Sequence, residues 1–85
     1  DGVTPLFIAC GNNNEMLVRY LVEEGAEVNI QKNGDQDSPL LIACRNGNET
    51  LAKYLVEHGA DVNKGNRDGE TPLFMACKSQ NESLV

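Results

Sequence analysis

Apolar residues recur along this chain at helical spacing. Leu6, Ala9 and Cys10 fall at i, i+3 and i+4, one face of a short helix. Leu17, Val18, Leu21 and Val22 then form the stripe of a second helix, with Glu15, Arg19 and Glu23 spaced by four on its solvated side. The same couple returns as Leu40, Ala43 and Cys44 followed by Leu51, Ala52, Leu55 and Val56. A third couple opens with Leu73, Ala76 and Cys77, and its second stripe has reached only Leu84 and Val85 when the sequence stops.

The punctuation between stripes is equally regular. Thr4-Pro5, Ser38-Pro39 and Thr71-Pro72 open the first helices: a hydroxyl accepts from an orphan N–H, and proline sits where its missing N–H costs nothing. Asn13, Gly47 and Gln80 occupy the turn to the second helix, where a left-handed residue is needed; Gln80 suits it least. Asn14 and Asn48 cap the second helices, and Gly25 and Gly59 end them. Polar loops follow, Ile30 to Asp37 and Lys64 to Glu70, the former one residue longer.

These matches set a period. Thr4-Pro5-Leu6 recurs as Ser38-Pro39-Leu40 and Thr71-Pro72-Leu73, offset by 34 and then 33 residues, and Tyr20-Leu21-Val22-Glu23 recurs as Tyr54-Leu55-Val56-Glu57. A fixed period of this length marks a stacked repeat, in which each unit buries its faces only against its neighbours. The expected organisation is one repeat domain over 1–85, with units at about 4–37, 38–70 and 71–85, the third truncated. The interrupted third stripe makes the chain read as a fragment of a longer array. Leu6, Phe7, Leu84 and Val85 are then expected at uncapped, exposed ends, which would favour end-to-end self-association.

The motifs themselves resemble the ankyrin repeat family. The opening signature D-G-x-T-P-L-H-x-A-A is matched by Asp68-Gly69-Glu70-Thr71-Pro72-Leu73-Phe74-Met75-Ala76-Cys77. The closing one, L-L-x-x-G-A-D-V-N, is matched from Leu55 onward within Tyr54-Leu55-Val56-Glu57-His58-Gly59-Ala60-Asp61-Val62-Asn63, with Val56 for the second Leu. The resemblance covers essentially the whole chain. It implies an all-α fold: an ankyrin-repeat solenoid of stacked helix-turn-helix units joined by β-hairpin-like loops. Two departures stand out. Phe7, Leu41 and Phe74 replace the family histidine, and Asp35-Gln36 stands where Asp-Gly is usual, so the first loop is expected to be reshaped. The resemblance also implies that Asn63 and Asn29 could be hydroxylated; the plainer expectation is that both side chains hydrogen-bond across their own loops.

Composition narrows the function classes. The net charge of −6 argues against unspecific nucleic-acid binding, which needs phosphate neutralisation, and against docking on an anionic membrane. No apolar run approaches the ~20 residues of a membrane span. Cys10, Cys44 and Cys77 share one phase of the repeat, so they are spaced by about one helix-packing distance, ~8–10 Å, too far for a disulfide. They read as small apolar core residues, and free thiols point to a cytoplasmic or otherwise intracellular setting.

Catalytic chemistry finds little support. The single histidine, His58, precedes Gly59 at a helix C-terminus and reads as part of a cap. Glu23-Glu24 is a solvated pair, and Asn33-Gly34-Asp35-Gln36-Asp37 is turn chemistry without the spacing or closing Glu of a calcium loop. No enzyme, cofactor or metal site is expected. The resemblance instead implies protein–protein interaction through a concave face. The residues free of packing duty are the expected contacts: Gln31, Lys32, Gln36, Lys64, Asn66, Arg67 and Glu70 on the loops, and Asn12, Arg45, Asn46, Lys78 and Ser79 on the first helices. Two alternatives stand beside this reading: a structural spacer or scaffold segment, and a targeting module for an enzyme elsewhere in the parent chain.

Overall fold

In the computed structural model, residues 4–75 are described. They contain α1 (Pro5–Gly11), α2 (Glu15–Glu23), α3 (Pro39–Arg45) and α4 (Glu49–Glu57), and a further helical run at 72–75; no strand occurs among them. Helix α1 packs on α2, α3 on α4, and α1 on α3, so two helix pairs stack side by side. The core joins Leu6, Ala9, Cys10 and Val18 of the first pair to Leu40, Ala43, Leu51 and Leu55 of the second.

Local chemistry sets the helix boundaries. Asn14 Oδ1 accepts from the Leu17 N–H at 3.2 Å and Asn48 Oδ1 from Leu51 at 3.0 Å, each satisfying an orphan donor. Ser38 Oγ does the same for Leu41 and Thr71 Oγ1 for Phe74, both at 3.2 Å. Thr4 departs from this pattern: it stands at the cap position, but its hydroxyl is buried and finds no partner among the described residues. Asn13 at φ 56° and Gly47 at φ 71° make the left-handed turns between helices, as the sequence leads one to expect. Asn48 Nδ2 donates to Asn13 Oδ1 across the two units at 3.2 Å, so Asn13 is more than a turn residue.

The loops reverse without becoming strands. In the first, the Lys32 N–H donates to the Asp37 carbonyl; in the second, Asn66 donates to Glu70, each at 3.0 Å. The extra residue of the first loop is absorbed at Gln36, which takes φ 60°. This is the expected reshaping, achieved by a left-handed residue.

The ends of the stack correct one expectation. Leu6 and Phe7 are buried, at 2% and 3% exposure. Leu6 belongs to the common core, so it faces neighbours that are present rather than the open end. Exposure falls instead on Ile8, Leu17 at 39% and Tyr20. Their equivalents one period on, Ile42, Leu51 and Tyr54, are half-buried or buried, Leu51 at 1%. The face that the first unit covers on the second is thus exposed on the first unit itself. At the other end Leu73 and Phe74 are exposed. Cys77, Gln80, Leu84 and Val85 lie outside the described residues.

Candidate interaction surface

The two loops and the end of α3 are tied by one polar cluster. Arg45 holds Asp37 through two bonds, Nη1 to Oδ2 at 2.8 Å and Nη2 to Oδ1 at 3.2 Å. Its Nη2 also reaches Glu70 Oε1 at 3.5 Å. Asn66 Nδ2 donates to Asp37 Oδ1 at 2.9 Å and to Glu70 Oε1 at 3.0 Å, while Asn66 Oδ1 accepts the N–H groups of Asp68 and Glu70. Asp37 and Glu70 each immediately precede a Ser/Thr-Pro cap, so Arg45 bridges the same acidic position in two successive units.

Further bonds run directly from loop to loop. Gln31 Nε2 donates to the Gln36 carbonyl of its own loop and to the Gly65 carbonyl of the next, both at 2.9 Å. The Arg67 N–H donates to the Asp35 carbonyl at 2.8 Å. Lys32 Nζ lies 3.6 Å from Asp35 Oδ2, an ion pair within the first loop. These bonds fix the two loops relative to each other.

The sequence-selected residues therefore divide into two groups. Gln31, Arg45, Asn66 and Glu70 are engaged in the cluster and the cross-loop bonds. Asn12, Gln36, Asn46 and Arg67 are exposed, and Lys32 and Lys64 are half-buried at the loop ends. Asn46 lies close to the first unit, its Nδ2 at 3.5 Å from the Cys10 carbonyl. Lys78 and Ser79 lie outside the described residues. Asp37, which sequence reasoning passed over as turn chemistry, is the buried hub. The acid recurring before each later Ser/Thr-Pro pair was the available signal. Asn29 was also misplaced: its carboxamide bonds to Gly59 and Asp61 of the following unit, not across its own loop.

Electrostatics agree with this division. Burial pushes the Asp37 carboxyl up, but the bonds from Arg45 and Asn66 and the charges of Arg45 and Lys32 outweigh it and hold it below its ordinary value. The bond to Asp37 raises Arg45 in turn. Elsewhere, burial pushes the Cys10 thiol up to about 11 and raises Cys44 as well, so both stay protonated at neutral pH, and neither forms a disulfide. On the outer face, His58 caps α4: its Nδ1 pairs with the Tyr54 carbonyl at 2.9 Å and its ring stacks on Tyr54, whose other partner is the Arg19 guanidinium. Among the described residues, no group of three or more His, Cys, Asp or Glu could hold a metal ion, and no helix is long and apolar enough to cross a membrane.

No curated protein matches this chain in sequence. A family model described as ankyrin repeats, three copies, matches residues 6–85. The stacked helix pairs, the phased caps and the loops that grip one another are the arrangement those repeats imply. The chain belongs to the ankyrin repeat family, whose members are in general protein–protein interaction modules and typically non-catalytic.

Proposed function

We propose that this chain is a protein-binding module whose contact surface runs along the tips of loops 30–37 and 64–70 and the adjoining ends of α1 and α3. The observation that carries this reading is the cross-locking of the loops through Arg45, Asp37, Asn66, Glu70 and Gln31. A surface already ordered before binding loses less entropy when a partner arrives. Asn12, Lys32, Gln36, Asn46, Lys64 and Arg67 are the contacts, with Lys78 and Ser79 joining them by their place in the repeat. Gln31, Arg45, Asn66 and Glu70 hold the contacts in position and touch the partner only at their edges. The partner is a protein. The thiols at Cys10 and Cys44 suit a reducing, intracellular compartment.

A spacer role is the second reading. It is favoured by one observation: none of the large exposed apolar residues lies on either loop. Such residues commonly anchor interfaces.

The two readings part in a binding comparison. Lys64→Glu with Arg67→Glu reverses two loop charges outside the main cluster. The double variant keeps its melting temperature and loses about tenfold or more in affinity for a partner captured by the original chain. Undiminished binding would exclude this surface. Failure of the intact repeat array to capture any partner specifically would favour the spacer.

A further inference from the structure

Two asparagines in this chain are followed by glycine: Asn33-Gly34 at the tip of the first loop and Asn46-Gly47 just past α3. Such a pair can react with itself. The backbone nitrogen of the glycine attacks the asparagine Cγ, and glycine has no Cβ to hinder the approach. As sequence, the two pairs are equivalent. Both asparagines and both glycines are exposed, so access to water does not separate them either.

The surrounding hydrogen bonds separate them. Asn46 is the C-cap of α3 at φ −78° and ψ −5°, and its N–H donates to the Ile42 carbonyl at 3.0 Å. The Gly47 N–H, whose nitrogen would be the nucleophile, donates to the Cys44 carbonyl at 3.1 Å, and the Asn48 N–H closes the turn on the Ala43 carbonyl at 3.0 Å. The Asn46 carboxamide is engaged as well, its Nδ2 lying 3.5 Å from the Cys10 carbonyl of the first unit. Reaction requires rotation about the Asn46 Cα–C bond to bring the Gly47 nitrogen round to Cγ, and that rotation breaks the cap. Asn33-Gly34 carries none of these restraints. The bonds of its loop run between Gln31, Lys32, Asp35, Gln36 and Asp37 and pass the tip by. Neither the Asn33 carboxamide nor the Gly34 N–H has a hydrogen-bond partner among the described residues. The second loop offers a contrast: at its Asp68-Gly69 tip the glycine N–H donates to the Asn66 carbonyl at 3.0 Å.

We propose that Asn33 is a site of spontaneous deamidation and that the fold withholds the same reaction from Asn46. Hydroxide takes the proton of the Gly34 N–H. The electron pair of that nitrogen forms a bond to Asn33 Cγ, the Cγ–Nδ2 bond breaks, and Nδ2 leaves as ammonia with a proton returned by water. The resulting succinimide joins Cγ and the Asn33 carbonyl carbon through the Gly34 nitrogen. Water adds to either of these carbons and opens the ring, giving aspartate or isoaspartate. Overall, water is consumed, ammonia is released and nothing is oxidised or reduced. The product adds one negative charge to the chain's net −6. That charge arrives between Lys32 and Asp35, whose side chains pair at 3.6 Å. The isoaspartyl form also adds a methylene to the backbone inside the loop that the Lys32 N–H closes on the Asp37 carbonyl. This proposal does not rest on the loop tips being a binding surface.

The test ages the purified chain at mildly alkaline pH and digests it with trypsin. Cleavage after Lys32, Arg45 and Lys53 places the two asparagines in separate peptides, 33–45 and 46–53. Mass spectrometry follows the gain that accompanies conversion of an amide to an acid, and fragment masses locate it at Asn33 or Asn46. An unaged sample digested alongside corrects for reaction during digestion. In the folded chain Asn33 is expected to convert at least about tenfold faster than Asn46, because the Gly47 nitrogen is freed only by local opening. In denaturant, where both pairs lose their surroundings, the two rates should converge. Equal rates in the folded chain, or faster conversion of Asn46, overturn the proposal. So does a difference that persists undiminished in denaturant, since it would then come from neighbouring sequence and not from the fold.

Discussion

Burial alone would lift the Asp37 carboxyl above its ordinary 3.8, yet Arg45, Asn66 and Lys32 bring it below that value. A carboxyl depressed on folding binds protons more readily in the unfolded chain. Its contribution to stability is therefore complete above the ordinary carboxylate pKa and is lost as pH falls through the lower, folded value. The melting temperature is expected to fall on acidification from about pH 5 to about pH 2, and Asp37→Asn should flatten part of that fall. Arg45→Ala at neutral pH leaves a nearly buried carboxylate with Asn66 as its remaining side-chain partner. Because Arg45 is itself 43% exposed, the loss is expected at about 1–2 kcal/mol by denaturant unfolding. A loss near zero would mean that the pair is a surface contact without structural weight.

At the level of elements, equivalent positions report which face of a helix is covered. Leu51 is 1% exposed on α4 and Leu17 is 39% exposed on α2, although both hold the same place in the stripe. Leu51→Ala is expected to cost about 2–4 kcal/mol and Leu17→Ala less than about 1 kcal/mol, measured by denaturant unfolding. Equal costs would contradict the directional stacking. This asymmetry also marks how far the sequence could be read. Helix existence, the caps at Ser38, Thr71, Asn14 and Asn48, and the left-handed turns at Asn13 and Gly47 follow from residues close in the chain. The burial of Leu6 and Phe7 did not, because a stripe says that a residue packs without saying on which neighbour. Thr4 matched the cap pattern and still makes no cap bond. Arg45, Asn66 and Glu70 fall outside the stripes and so read as free surface from the sequence. Their partners come together only when two loops meet, with Asn66 lying 29 residues from Asp37.

Across the whole molecule, two polar loops behave as one surface because the second helix pair sits on the first. Asn29 sets the spacing near the helix ends, Gln31 joins the loop bases, and Asp37 collects Arg45 and Asn66 from different elements. The residues left outward, Lys32, Gln36 and Arg67 among them, are then held at fixed separations, which a binding surface requires. The most direct measurement of this ordering is amide hydrogen exchange at Lys32 and Arg67. Their N–H groups donate to Asp37 of the same loop and Asp35 of the neighbouring loop. Both amides should exchange at least about tenfold more slowly than in an unstructured chain, and Asn66→Ala should speed Arg67 while the helix amides keep their protection. Exchange at the free-chain rate in the unaltered protein would show that the loops move independently, and would contradict a preformed binding surface.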